Sequence, residues 1–382
     1  MTWPTKKLGE ITEISSGGTP RTGFAKYWNG NIPWLRSGEL IDAAIYDTEK
    51  KISERGLKES SAKLFPKNSV LIALTGATVG KTGILKIDSS TNQSVAAILP
   101  NEKYFIPEFV WYFLRLNYQK IKARAYGGAQ PHIDQGDIKA IKIPLPPLEI
   151  QKQIVERLDK IVEAQKLNGE LIQKAEELFQ SLLYKELNPT GKNWEVKKLG
   201  DIIKPQYGYT ASAKDSGEYR FIRITDISDK GELKDSDKKY VMLSQNEAEN
   251  YQLRNGDLLL ARTGATFGKI LYFKETEPSI FASFLIRLNP DISIDPFYIW
   301  LFSRSQSYWR QAKSLMTGSG QPQFNANKLK QIKIPLPPLK IQKQIVEKLS
   351  AVQEYKKKLL EQKSLLKELF ETVLNKSFKG QL

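Results

Sequence analysis

From Leu148 to about Leu187 the chain holds no proline and a single glycine, Gly169. Its apolar positions there recur in steps of four and three: Ile154, Leu158, Ile161, Ile172, Phe179 and Leu182, with Gln165, Asn168 and Ala175 completing the row. That alternation marks a helix that buries one stripe against another helix. Pro144, Pro146 and Pro147 enforce an extended approach and leave a permitted helix start. The pattern returns near the C-terminus as Ile345, Leu349, Val352, Leu359, Leu366, Phe370 and Val373, interrupted by Lys356 and Lys363. Two helices of about 40 residues, each roughly 60 Å long, are predicted. Each seam is too apolar to remain solvated, and the partner expected for each is the other; a long helix packed only on its own domain is the competing reading.

Elsewhere the apolar runs are short. Ser69–Leu74 and Asp257–Arg262 have the length of strands, and Ile84–Ile87 and Lys269–Phe273 are expected to pair with them as hairpin mates across a glycine turn. Pro107–Leu116 and Pro296–Phe302 are aromatic-rich and predict helices that plug each core. These elements come in pairs because the chain is an internal duplication. Ile141-Lys-Ile-Pro-Leu-Pro-Pro-Leu148 recurs 191 positions later as Ile332-Lys-Ile-Pro-Leu-Pro-Pro-Leu339, and Trp3 and Lys6–Gly9 recur as Trp194 and Lys197–Gly200. The division predicted is a first body (1–143), a helical tail (144–190), a second body (191–334) and a second tail (335–382).

Composition narrows the function. Lys and Arg number 58 against 42 Asp and Glu, a formal charge of +16, which favours a polyanionic partner, nucleic acid before a membrane surface. Residues 1–141 and 191–331 carry +6 and +5, whereas residues 142–190 and 332–382 differ at −1 and +6, so unlike tails attract along their flanks. With no cysteine and one histidine, His132, thiolate chemistry, disulfides and a histidine-rich metal site are excluded. No run approaches the ~18 apolar residues of a membrane span, and the N-terminal sequence has no signal-peptide character, so a cytoplasmic protein is expected.

Thr75-Gly-Ala-Thr-Val-Gly-Lys-Thr82 resembles a phosphate loop but has three residues where that loop needs four, and its copy ends Gly268-Lys269-Ile270 without the hydroxyl. Either a plain glycine hairpin or a turn presenting Thr78, Lys81, Thr266 and Lys269 to DNA phosphates is compatible with it. Thr19, Arg21, Tyr27, Trp28 and Arg36 fall in one loop-rich stretch of the first body, and Tyr207, Tyr209, Arg220 and Arg223 in the corresponding stretch of the second. Arginines, amides and aromatics of this kind read base edges; the alternative is core tryptophans and solvated arginines. Divergence between these stretches suits two bodies that read different sequences. His132 lies opposite Gln323 or Phe324 of the other copy, which favours a structural role. No methyltransferase adenine-site motif, cofactor loop or helicase motif is present.

The twice-repeated block Ile-Pro-Leu-Pro-Pro-Leu followed by Gln-x-x-Ile-Val, the preceding Gly318-Ser-Gly-Gln-Pro-Gln-Phe-Asn325 with its echo Gly127–Asp134, and the Gly18-Thr19-Pro20…Ile32-Pro33-Trp34 opening resemble the specificity subunit of type I restriction–modification systems over essentially the whole chain. The resemblance implies an α+β fold: two homologous mixed α/β target-recognition domains joined by two long helices that form an antiparallel intramolecular coiled coil, with pseudo-twofold symmetry. It implies that each body reads one half of a bipartite site in double-stranded DNA while the helices set the spacer. Two methylation subunits would dock on the helices and restriction subunits would join them. S-adenosylmethionine, ATP and Mg²⁺ would sit on those partners, with no cofactor and no catalysis on this chain. The competing function is a stand-alone bipartite DNA-binding regulator or architectural protein.

Overall fold

Residues Val70–Ala73 are apolar and buried on both faces, and a strand of that kind must be covered on both sides. In the computed structural model, which describes residues 3–128, 131–228, 231–275, 277–317 and 323–381, they form a central strand. Gln130 and residues 318–322 of the glycine–glutamine–proline motif lie outside the described residues. The first body contributes β1 (Thr5–Lys7), β2 (Ile14–Ser16), β3 (Trp28–Leu35), β4 (Ala43–Ile45), β5 (Lys50–Ile52) and β6 (Leu64–Phe65). It continues with β7 (Val70–Ala73), β8 (Thr82–Leu85), β9 (Ser89–Thr91), β10 (Val95–Ile98) and β11 (Lys142–Pro144). One sheet runs β2-β10-β7-β8-β4, a second runs β5-β3-β9-β6, and β1 pairs with β11 as a separate clip. The predicted hairpin is β7–β8, antiparallel with Val70 opposite Ile84 and Ile72 opposite Thr82. The stretch expected to be loop-rich is in part the strand β3, which shifts register against β5 between Trp28 and Ile32. Such a bulge re-aims side chains.

The second body repeats this plan with β12 (Glu195–Lys198), β13 (Ile203–Tyr207), β14 (Tyr219–Ile222), β15 (Tyr240–Val241) and β16 (Leu258–Ala261), then β17 (Ile270–Tyr272), β18 (Ser279–Phe281), β19 (Leu285–Pro290) and β20 (Lys333–Leu336). Its sheets run β13-β19-β16-β17 and β15-β14-β18, with β12 clipped to β20. Strand for strand, β2, β10, β7 and β8 correspond to β13, β19, β16 and β17. The aromatic helices Pro107–Leu116 and Pro296–Phe302 begin with proline in the first turn and bury Phe109 to Leu114 and Tyr298 to Phe302.

Two 40-residue helices, Leu148–Leu187 and Leu339–Phe378, follow the bodies. Contacts divide the chain into two compact units, Met1–Gly169 with Gln362–Leu382, and Glu170–Glu361. Each unit therefore holds one body together with part of both long helices. In the first unit Gln165 Nε2 donates to the Leu366 carbonyl at 3.1 Å and Asn168 Nδ2 to Gln362 Oε1 at 3.0 Å. Rising numbers on one helix meet falling numbers on the other, so the pair is antiparallel. In the second unit Lys356 pairs with Glu176 and Lys348 with Glu186 in the same sense.

Of the heptad positions, Ile154, Leu158, Phe179, Ile345, Leu349 and Leu359 are buried, while Ile161, Ile172, Leu182, Val352, Leu366, Phe370 and Val373 are half-buried. Val155, Leu183, Leu187 and Leu374 are buried instead, near where the helices meet the bodies. The stripe drifts because an α-helix repeats every 3.6 residues, not 3.5. It closes one core around Leu8, Val70, Phe109 and Leu374, and another around Leu199, Leu258, Tyr298 and Phe179. Among the described residues no helix is long and apolar enough to cross a membrane.

Candidate nucleic-acid interface

In each body the glycine turn is built the same way. Gly76, Gly80, Gly264 and Gly268 all take φ between 73° and 80°, a conformation that side chains with a Cβ avoid. The turn of residues 76–78 is backed by the segment after Pro131: Gly76 N–H donates to the Pro131 carbonyl at 3.0 Å, and Thr75 bridges His132. In the second body Thr263 bridges Gln323, so Gln323 is the counterpart of His132. The His132 ring meets Tyr126 edge-on with centroids 3.9 Å apart, which accounts for it as a local support.

Thr78 and Thr266 lie half-exposed on these turns. Lys81, on the contrary, is committed within the fold: its ammonium is 2.6 Å from Asp42 Oδ2 and lies over the Tyr118 ring at 4.7 Å. Burial alone raises the Asp42 carboxyl. Hydrogen bonds from Lys81 and from the Thr82 backbone and hydroxyl outweigh it and hold the group below the ordinary carboxylate range. Lys81 therefore struts the hairpin rather than reaching outward. Lys269 lines a cavity of about 220 Å³ with Glu176, Gln180, Arg304 and Trp309.

Around the β3 bulge, Trp28 and Trp34 meet edge to face at 5.0 Å, and their indole N–H groups donate to the Arg21 and Gly18 carbonyls. Asn29 between them takes φ 58°. With Thr22, Gly30, Arg36, Glu49, Lys50 and Lys51 they line an open cleft of about 550 Å³. Lys50 lies over Trp28 at 5.8 Å. Thr19 donates to Gln93 Oε1 at 2.5 Å, Arg21 is exposed, and Tyr27 donates to Glu59 Oε2 at 3.0 Å, a bond that raises the pKa of the tyrosine, while hydrogen bonds from Arg55 first and Tyr27 second lower that of the glutamate. Thus Arg21, Trp28 and Arg36 gather near one cleft, together with Lys50 and Lys51, which motif reading missed because they arrive on a separate strand.

Arg36 and Arg223 occupy the same place. Each caps a short 3₁₀ turn through a carboxylate three residues on, Glu39 or Asp226, and pairs further with Glu49 or Asp237. Arg220 is corrected: it is 2 % exposed and its guanidinium points inward, donating to the Lys234 carbonyl at 2.8 Å with Asp235 at 3.5 Å. A side chain so enclosed cannot enter a DNA groove.

On the second body the outward group is Tyr207, Arg262 and Phe284. The Arg262 guanidinium lies 5.3 Å from both rings, and Tyr207 and Phe284 are 44 % and 50 % exposed. Tyr209 packs edge-on against Tyr251 at 5.2 Å and is half-buried. Arg262 N–H bonds the Phe284 carbonyl just as Leu74 N–H bonds the Ser94 carbonyl in the first body. At one matched backbone position the second body therefore carries arginine and an exposed phenylalanine, where the first turns leucine into its core beside a half-buried serine. A stacked arginine is suited to guanine edges or phosphates, and exposed rings to bases.

Residues 1–177 and 191–368 each match the type I restriction modification DNA specificity domain family. The chain is 30% identical over 252 aligned positions to the type I restriction enzyme MjaIX specificity subunit of Methanocaldococcus jannaschii, covering 58% of this chain and 57% of that one. It is 31% identical over 192 positions to the EcoR124I/EcoR124II specificity subunit of Escherichia coli, covering 47% of each chain. These matched stretches span about half the length of the two relatives. With the StySPI specificity subunit of Salmonella potsdam the match is 24% identical over 100% of this chain and 89% of the relative. Among solved structures, a chain from work on complex assembly and conformational transition of the type I R-M system aligns with TM-score 0.67 at 19% identity, covering 100% and 98% of the two chains. The S subunit from M. genitalium aligns with TM-score 0.61 at 15% identity, covering 99% and 96%. Two matched bodies, two long helices and a family match in both halves lead to one conclusion: the chain belongs to the type I restriction–modification DNA specificity family.

Proposed function

We propose that this chain is the sequence-reading subunit of a type I restriction–modification complex, each body reading one half of a bipartite site in double-stranded DNA. The observation that carries it is the pair of matched scaffolds that differ at one equivalent pair: Arg262 and the exposed Phe284 in the second body, against Leu74, which turns into the core, and Ser94 in the first. A common frame with different reading residues suits two unlike half-sites. In this reading the paired helices set the spacer and dock two methylation subunits, with restriction subunits joining them. Exposed apolar side chains support helix docking: Val162, Leu167, Leu365 and Leu369 in the first unit, and Leu171, Leu178, Tyr355 and Leu360 in the second. Water-facing leucines in such numbers mark a surface made to be covered. Base flipping and methyl transfer belong to the partners, as do S-adenosylmethionine, ATP and Mg²⁺; this chain works in the cytoplasm and contributes no catalysis.

The test is to co-express the chain with a methylation subunit encoded beside it and to map methylated adenines in the host genome. A two-part motif that vanishes when this chain is deleted is expected. Tight sequence-specific binding by the chain alone, with methylation unchanged on its deletion, would instead make it a stand-alone regulator.

A further inference from the structure

Each body meets two different tails, and the two joints are built differently. To its own tail a body is tied by a buried glutamine. Gln151 accepts from the Ile106 amide and donates to the Tyr104 and Pro146 carbonyls, at 2.9 to 3.0 Å. Gln342 does the same with the Asp295 amide and the Ser293 and Pro337 carbonyls, at 2.8 to 3.0 Å. To the tail of the other repeat a body is tied by an arginine. The Arg115 guanidinium lies 4.9 Å from the Trp111 ring and 5.3 Å from Phe370, which belongs to the second long helix. The Arg304 guanidinium lies 4.7 Å from Trp300 and 5.2 Å from Phe179, which belongs to the first. Arg115 and Arg304, Trp111 and Trp300, and Phe179 and Phe370 are equivalent positions of the duplication.

Both arginines are half-buried, and neither makes an ion pair among the described residues; Arg304 Nη1 is enclosed without a hydrogen-bond partner. Holding a cation out of water without a carboxylate is unfavourable, and an aliphatic side chain would fill the space without that cost. What arginine adds is a flat cation that stacks on two rings at once and so fixes their mutual angle. The bodies have diverged at their outward positions, yet both keep this triad.

We propose that Arg115 and Arg304 are positioning residues that lock each recognition body onto the long helix of the other repeat, and that these two joints determine how strictly the spacing of the bipartite target is enforced. The inference rests on the sequence-reading role proposed above. A body whose joint is loosened still reads its own half-site but tolerates a displaced second one.

The experiment uses the full chain in complex with its methylation subunit and duplexes carrying the two half-sites at the native spacing and at one base pair more or less. Arg115→Met with Arg304→Met is expected to reduce the preference for native spacing about tenfold or more, with base preference inside each half-site unchanged. Arg115→Lys with Arg304→Lys, which keep a cation over the rings, are expected to restore part of it. A folded double Met variant with the wild-type spacing preference overturns the proposal. Should the Met variant fail to fold, Phe179→Leu with Phe370→Leu removes the rings while keeping the volume apolar, and an unchanged spacing preference there overturns it equally. Absence of any two-part target for the unmodified complex would sink the sequence-reading role itself, a distinct outcome.

Discussion

At the scale of single residues the frame of each body depends on close backbone approaches. A Cβ on Gly17 would stand 2.1 Å from the Thr91 carbonyl oxygen, and on its equivalent Gly208, 2.3 Å from that of Ala282. Both neighbours are backbone and cannot step aside. Gly17→Ala is expected to destabilise by about 2 kcal/mol or more, whereas Gly23→Ala, with nothing within 4 Å, leaves the thermal midpoint where it was. Asp42 gives a pH dependence. Its carboxyl is held below its unfolded value, so its contribution is full above the unfolded pKa and disappears as pH falls through the lower folded one, below about pH 4. Asp42→Asn should cost about 1 kcal/mol in urea denaturation at pH 7 and progressively less as the pH is lowered below about 4. Since Lys81 is occupied by Asp42, Lys81→Met should leave the salt dependence of DNA binding unaltered; a slope shallower by about one would put the ammonium on a phosphate after all.

At the scale of elements, the long helices were legible because a four-three alternation sustained over forty residues arises from little besides a helix with one buried stripe. The central hairpins and aromatic helices were legible for a similar reason, being apolar throughout. What could not be read were strands such as β9, whose Ser89, Ser90 and Thr91 are buried yet polar, and β3, whose bulge hides its alternation. The site divided along the same line. Glycine turns announce themselves locally, but Arg262 and Phe284 lie 22 residues apart and meet only through the β16–β19 pairing. Arg220 misled because Tyr-Arg-Phe-Ile alternates like a half-exposed strand, and nothing local says that acidic loops will enclose it. The polar breaks in the seam became a layer, Gln165 and Asn168 against the second helix. Buried polar groups at such positions fix register at a cost in stability. Asn168→Leu is therefore expected to raise the thermal midpoint while allowing other pairings, seen as self-association by light scattering. A variant no more stable and still wholly monomeric would deny the layer that role.

At the scale of the whole molecule, the proposed function makes the duplication a means of combining two independent readers in one chain. The bodies share a strand order and a turn but not their outward residues, so each is expected to contribute its own half of a target without regard to the other. The most direct measurement exchanges residues 1–143 for the recognition body of another family member and maps methylated adenines in cells carrying the altered chain and its methylation subunit. One half of the methylated motif should change, with the other half and the spacer length preserved. If both halves change together, or the motif stays as it was, the two bodies are not separate readers.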